Sequence, residues 1–145
     1  MMTRAMVAGI ALAALLAGCS SGPQAEPQRQ GALPGGTAKL SIDDHETGDQ
    51  QKVTCLVTGP VTTIDIGDDQ SGSTAVVSNA ADLRVESVSI RNLSGFTGSY
   101  NQNLGDPAKV SMTGATYDLS GTAEGFATDN PSFRKSGNFS IKVSC

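Results

Sequence analysis

The chain opens with a compact apolar run and continues as short stretches in which apolar and polar residues alternate. The apolar run, Val7 to Ala17, follows a single positive charge at Arg4. It is shorter than the roughly 20 apolar residues that a membrane-spanning helix needs. A positive start, an apolar middle and small residues at the end are typical of a secretory signal peptide. The pattern therefore predicts that residues 1–18 are a signal peptide that is cleaved.

Beyond residue 37, nine stretches have the length and patterning of β-strands. In a strand, side chains alternate between two faces, so a period of two places the apolar residues together. The candidates are Ala38–Asp43, Lys52–Thr58, Val61–Gly67, Ser73–Ser78, Leu83–Asn92, Phe96–Asn101, Ala108–Thr113, Thr116–Phe126 and Gly137–Cys145. The expected core faces carry Val53, Cys55 and Val57 in one strand, Ile64 and Ile66 in the next, and Phe139, Ile141, Val143 and Cys145 in the last.

Helical periodicity is weak along the whole chain. Only the segments around Ala80 and Pro131 have room for a turn of helix. The chain has 17 glycines, no tryptophan and 4% aromatic residues, which favours many short strands joined by turns. We therefore predict a mainly β domain at residues 38–145, built as an antiparallel β-sandwich or a strongly curved sheet with at most one short helix.

The segment before this domain has no hydrophobic periodicity. Residues 20–37, SSGPQAEPQRQGALPGGT, contain three prolines and several glycines. Such a composition is typical of a flexible linker, so residues 19–37 are predicted to be a tether. The formal net charge of the whole chain is -4 and its basic residues are scattered. This distribution argues against nucleic acid as a partner.

The apolar run ends in Leu16-Ala17-Gly18-Cys19, which looks like the lipobox of bacterial lipoproteins. Cleavage between Gly18 and Cys19 would make Cys19 the first residue of the mature chain. A cysteine thiolate is the strong nucleophile that a thioether to lipid requires. We expect a covalent diacylglycerol and an N-acyl lipid on Cys19. Several acyl chains bind a membrane far more firmly than one, so this residue would anchor the chain.

With Cys19 assigned to lipid, Cys55 and Cys145 remain. An exported protein rarely keeps two free thiols, so these two are predicted to form a disulfide. The alternative is a pair of buried, reduced thiols. Two thiols without a neighbouring histidine do not indicate a zinc site.

Candidate catalytic residues are few. The single histidine, His45, stands among acidic residues and is predicted to lie in a solvated loop, although serine and cysteine nucleophiles normally need a histidine base. The acidic residues 65–69 are predicted to form a turn, because a calcium loop starting at Asp65 would need a glutamate where Val76 stands. Residues 132–135 match the catalytic motif S-x-x-K of penicillin-recognising enzymes, but they do not lie on a convincing helix. We therefore predict no catalytic residue, no metal site and no enzymatic activity.

The lipobox is followed by VTCLVTGPVTTIDIG, LSGTAEGFATDNP and a chain end of FSIKVSC. Together these segments resemble the mycobacterial lipoprotein antigen family typified by the nineteen-kilodalton antigen. The resemblance implies a cell-membrane or envelope protein anchored through Cys19, with the paired cysteines of the family at Cys55 and Cys145. It also implies a surface antigen with adhesin roles, no established enzymatic activity, and an acylated amino terminus that host Toll-like receptor 2 recognises.

Two other functions for the β domain remain open. One is a carrier of lipid or another small ligand, which would need a large apolar pocket. The other is an accessory module that binds a host receptor or an envelope component through an exposed face. Phe96, Tyr100 and Tyr117 are candidates for exposed aromatic contacts in that case, and core packing is the alternative for each.

Overall fold

A computed structural model describes residues 29–50 and 52–145, and this part of the chain contains ten β-strands and no helix. The predicted signal peptide and Cys19 lie outside the described residues. The strands are β1 Ala38–Ile42, β2 His45–Gln50, β3 Val53–Thr58, β4 Val61–Gly67, β5 Gly72–Ser78, β6 Arg84–Leu93, β7 Phe96–Asn101, β8 Lys109–Thr113, β9 Thr116–Ala127 and β10 Asn130–Ser144.

All ten strands belong to one antiparallel sheet. Their order is β2-β1-β10-β9-β7-β6-β5-β4-β3, and β8 is a further partner of β9. Most neighbours in the sheet are also neighbours along the chain. The main exception is the pairing of β1 with β10, in which Leu40 lies opposite Ile141. This pairing places the first and last strands of the domain side by side.

The sheet curves until distant strands meet across its interior. Three strands separate β4 from β9 in the sheet order, yet the hydroxyl of Tyr117 in β9 donates a 3.4 Å hydrogen bond to Thr62 Oγ1 in β4. Cys55 in the edge strand β3 is bonded to Cys145, which follows β10. Only strong curvature brings these residues together. Of the two predicted architectures, the curved sheet is the one found, and the strands do not divide into two separate sheets.

The inner face of the curved sheet carries the hydrophobic core. Ile64 and Ile66 are fully buried, and so are Phe139, Ile141 and Val143, as their alternation predicts. Two of the residues predicted to face the core are exposed instead. Val57 is 68% exposed because β3 is an edge strand with a neighbour on one side only. Cys145 is exposed because it is the last residue and extends past the end of β10.

Two strands depart from the sequence-based prediction. The strand β2 was not predicted, because His45–Gln50 is a polar and charged segment without apolar alternation. The last strand begins at Asn130 rather than Gly137, and the candidate helical turn around Pro131 is wrong. Pro131 lies where the register between β9 and β10 shifts, between Asn130 and Arg134, a position that tolerates a residue without an amide donor. The segment around Ala80 is a bend between β5 and β6.

The largest fully buried side chain, Phe96, depends on two glycines. Gly98 and Gly125 lie directly opposite each other in the pairing of β7 with β9. A Cβ atom at Gly98 would stand 2.6 Å from the Phe96 ring, and one at Gly125 would collide with the carbonyl oxygen of Thr97. The absence of side chains at both positions therefore allows the two strands to close over the ring.

Replacing Gly125 by alanine should destabilise the domain. Overpacking of a tight site costs about 1 to 3 kcal/mol, and here the neighbouring atoms belong to the backbone. Urea unfolding of Gly125→Ala against the parent chain measures the loss. Gly35→Ala is the matched control, since the nearest atom to its added Cβ is 4.0 Å away. Equal stability of Gly125→Ala and the parent would contradict this account of the β7–β9 contact.

Candidate functional site

The chain enters the sheet at a defined place. The amide of Leu33 donates a 3.0 Å hydrogen bond to Thr116 Oγ1 at the start of β9. Three positions later, the amide of Gly36 donates to the carbonyl oxygen of Ser144 at 2.9 Å, and the amide of Ser144 donates to that of Thr37 at 2.9 Å. The segment just before β1 is thus fixed against the ends of β9 and β10. Cys19 lies outside the described residues, so its lipidation stays a prediction.

The same end of the sheet holds the disulfide. Cys55 and Cys145 form a disulfide, with their Cα atoms 5.9 Å apart. The two residues are 90 positions apart in the sequence. This confirms the predicted pairing over the alternative of two reduced thiols. The amide of Cys145 also donates a 3.1 Å hydrogen bond to the carbonyl oxygen of Ala115. The disulfide therefore links the free edge strand β3 to the place where the chain enters the sheet.

The three aromatic residues considered for exposed contacts are all buried. Phe96, Tyr100 and Tyr117 are 0%, 4% and 9% exposed. Their polar atoms have internal partners, since the Tyr100 hydroxyl accepts a 3.0 Å hydrogen bond from the amide of Ala108 and the Tyr117 hydroxyl donates to Thr62. A satisfied hydroxyl lets a tyrosine enter a core. Of the two roles considered for these residues, core packing is the one found.

The interior gives no support to the carrier hypothesis. Ile64, Ile66, Ile90 and Leu119 fill it and are each 1% exposed or less. One groove of about 340 Å³ opens on the outer surface. Most of the residues that line it are polar: Ser41, Asp44, Asp106, Pro107, Lys109, Ser120, Gly121, Thr122, Asn138, Phe139 and Ser140. A lipid carrier would need an apolar pocket instead.

The acidic cluster around His45 builds the turn between β1 and β2. Asp43 and Asp44 both have positive φ angles, 50° and 64°. The ring nitrogen Nδ1 of His45 lies 2.9 Å from the carbonyl oxygen of Asp43. The carboxylate of Asp43 accepts a 2.9 Å hydrogen bond from the amide of Asn138 and lies 3.8 Å from Lys135 Nζ. These contacts attach the turn to β10.

In the second acidic cluster, Asp68 and Asp69 lie in a turn, as predicted, whereas Asp65 lies in strand β4. The Asp68 carboxylate accepts hydrogen bonds from the amides of Gln70 and Ser71, at 2.8 and 2.9 Å. The bonds from Ser71 and Gln70 hold the pKa of Asp68 below its ordinary value, because they favour the charged form. Arg91 Nε donates to the carbonyl oxygen of Asp68 at 3.1 Å. The acid here shapes the connection between β4 and β5.

Sequence reasoning missed the exposed apolar residues near the disulfide. Leu56 is 63% exposed, Val57 is 68% exposed, and Met112 in β8 is 44% exposed. No distinctive sequence signal marked them, because residues 70–81 and 92–105 are as free of charged side chains as residues 53–64. Leu104 and Phe133 are exposed apolar residues elsewhere.

Fold and sequence together define an all-strand domain with one internal disulfide, preceded in the sequence by an apolar run that ends in Leu16-Ala17-Gly18-Cys19. The chain belongs to a family described as the Mycobacterium 19 kDa lipoprotein antigen, whose model matches residues 31–145. Within residues 29–50 and 52–145, the structure has no helix long and apolar enough to cross a membrane.

Relatives support the same assignment along the full length. A protein of Mycobacterium indicus pranii, also named as a lipoprotein, is 37% identical over 147 residues that cover 100% of both chains. Lipoprotein LpqH of Mycobacterium avium is 32% identical and covers 92% of this chain and 90% of its own. Lipoprotein LpqH of Mycobacterium tuberculosis is 31% identical, with 96% and 94% covered. The family is thus one of lipoproteins, which implies a place in the cell envelope.

Removal of the disulfide should lower the stability of the domain. For a loop of this length, the loss is about 2 to 5 kcal/mol, since the open chain gains conformational freedom when unfolded. Urea unfolding of a Cys55→Ser, Cys145→Ser double variant against the parent tests this. A reductant should lower the stability of the parent to that of the variant and leave the variant unchanged. A parent insensitive to reduction would contradict the role given to the bond.

The Asp68 turn should make stability depend on pH. Because the pKa of Asp68 is lowered in the folded state, its stabilising effect is present above the unfolded pKa of about 4 and is lost as the pH falls through the folded pKa. Asp68→Asn should therefore be less stable than the parent at pH 7 and lose this deficit in acid. Chemical unfolding across pH measures the difference. Asp69→Asn removes a charge from the same turn as a control, and an identical pH profile for both variants would count against the prediction.

Proposed function

We propose that the mature chain is a lipoprotein of the cell envelope, held on the membrane by diacylglycerol and an N-acyl lipid on Cys19. The observation that carries this proposal is the full-length alignment with lipoproteins. The similarity to the Mycobacterium indicus pranii protein covers 100% of this chain, so it includes the region before residue 31, where the family match begins. That region contains Leu16-Ala17-Gly18-Cys19. Cleavage after Gly18 would expose the amino group of Cys19 for acylation.

The acylated amino terminus is the part of the molecule that host Toll-like receptor 2 recognises in this proposal. The acyl chains would enter an apolar channel of the receptor, where burial is worth about 0.8 kcal/mol per methylene. The polar residues Ser20, Ser21 and Gly22 would lie at the mouth of that channel. The β domain then serves as a surface antigen and adhesin, held at the membrane by its own amino terminus.

Contacts in the β domain favour a non-enzymatic role. The ring of His45 is engaged with the backbone of Asp43. In the S-x-x-K match, Ser132 and Lys135 lie on strand β10 rather than on a helix. Lys135 Nζ is 3.8 Å from Asp43 and 5.8 Å from the centroid of the Phe96 ring. The lysine thus pairs with an acid and an aromatic ring and is not placed to activate a serine.

A Cys19→Ala variant tests the anchor. We expect the parent to fractionate with membranes and to carry acyl groups on its amino-terminal peptide in mass spectrometry, and the variant to lose both properties. Stimulation of cells that express Toll-like receptor 2 should fall to background. Gln28→Ala, which keeps the thiol and lies nine residues away in the predicted tether, is the control. Full stimulation by Cys19→Ala protein purified free of lipid would contradict the proposal.

A further inference from the structure

The hairpin formed by β3 and β4 exposes apolar side chains at a free edge of the sheet. Its residues 53–64 include no charged side chain, as is also true of residues 70–81 and 92–105. Exposed edge strands are usually protected by charges, which discourage unwanted contacts. Here the exposed half of the hairpin presents Leu56 and Val57 instead, at 63% and 68% exposure, followed by the exposed Pro60. Exposed apolar side chains that lie close together are typical of an interaction site.

Met112 faces the same side of the sheet as Val57, whereas Leu56, the residue before Val57, faces the opposite side of β3. It lies opposite Tyr117 in the pairing of β8 with β9, and Val57 lies opposite Thr62 in the pairing of β3 with β4. Cross-strand partners share a face of the sheet, and the hydroxyls of Tyr117 and Thr62 are hydrogen bonded. Val57 and Met112 therefore flank the same contact. We call Leu56, Val57, Pro60 and Met112 the apolar end patch.

This patch adjoins the entry of the chain into the domain. Leu33 is hydrogen bonded to Thr116, which lies opposite Thr113, the residue after Met112. On the other side, Cys145 is hydrogen bonded to Ala115, the residue before Thr116. Cys145 is in turn bonded to Cys55, the residue before Leu56. Apart from bonds between chain neighbours, two contacts thus separate the entry point from Met112, and three separate it from Leu56.

The length of chain before this point limits how far the patch can lie from the lipid. Fourteen positions separate Cys19 from Leu33, and that many residues span at most about 50 Å when fully extended. The turns beside the patch, residues 58–61 and 113–116, carry no charge, but the β5–β6 connection, whose Asn79 amide donates a 3.0 Å hydrogen bond to the carbonyl oxygen of Pro60, contains the exposed Asp82. Turns elsewhere on the sheet contain carboxylates, such as Asp43, Asp68 and Asp129, which are costly to remove from water. The chain therefore enters the domain beside a surface suited to lipid.

We propose that the apolar end patch rests on the surface of the bilayer that holds the Cys19 anchor, with the tip of the β3–β4 hairpin among the lipid headgroups. This inference rests on the proposed lipid anchor and adds an orientation to it. The domain is then held at the membrane by two contacts, the acyl chains and the hairpin. The edge of β3 is covered by lipid, and the acidic turns remain in water.

Tryptophan fluorescence tests this orientation, because the chain contains no tryptophan. Val57→Trp provides one reporter in the patch. Phe133→Trp is the matched control, since Phe133 is also an exposed apolar residue, at 59%. It lies near the other end of β10, twelve positions before Cys145, which corresponds to about 40 Å along an extended strand. Each full mature chain is coupled through the Cys19 thiol, the cysteine outside the disulfide, to a maleimide phospholipid in phosphatidylcholine vesicles.

We expect the emission of Val57→Trp to shift to the blue on coupled vesicles and to be quenched by brominated acyl chains, while that of Phe133→Trp is unchanged. Adding Leu56→Ser to the Val57→Trp chain should lower the ratio of docked to undocked protein by roughly tenfold. Thermal unfolding and the absence of titratable thiols other than Cys19 check that each variant is folded.

Two results would overturn the proposal. One is equal, vesicle-independent emission from both reporters. The other is a shift of the Val57→Trp emission without vesicles that grows with protein concentration, which would assign the patch to a second copy of the chain. Chemical coupling keeps the test separate from acylation in the cell. A Cys19 without acyl groups in native protein would refute the proposed function, whereas a silent Val57→Trp on coupled vesicles would refute only the docking.

Discussion

The structure depends on the closure of one curved sheet over its own inner face. A single sheet has no second layer to cover its apolar side, so that side is buried only if the sheet bends until its own strands face each other. The hydrogen bond from Tyr117 to Thr62 and the bond between Cys55 and Cys145 both span this closure. Gly98 and Gly125 lie opposite each other in the neighbouring strands β7 and β9, and their lack of side chains allows these strands to approach over the Phe96 ring.

Closure determines what the domain can offer to a partner. The interior is occupied by packed aliphatic and aromatic side chains, so apolar binding surface is found at an edge of the sheet rather than within it. That edge, β3, is covalently joined to the end of the chain beside the entry of the amino-terminal segment. The entry of the chain, the disulfide and the exposed apolar residues of β3 are therefore concentrated at one end of the sheet.

The accuracy of sequence-based prediction varied with how each segment is buried. Strands with one buried face, such as β4 and β10 from Gly137 onward, were recognised because their apolar residues alternate. The strand β2 and the first part of β10 are exposed on both faces, so no alternation marked them. The apolar end patch was missed for a related reason. Val57 follows the alternation of a core-facing residue, and only its place at a free edge exposes it.

The sequence by itself determined most strands, the pairing of the two domain cysteines, the acidic turn at Asp68 and the membership of a lipoprotein family. These follow from local patterns, from redox chemistry and from motifs, which need no knowledge of distant neighbours. The tertiary structure decided that there is one sheet rather than two, that Phe96, Tyr100 and Tyr117 are buried, and that Leu56 and Met112 lie beside the entry of the chain. A period of two shows which side chains share a face, but the strands that lie over that face, far away in sequence, decide whether it meets water.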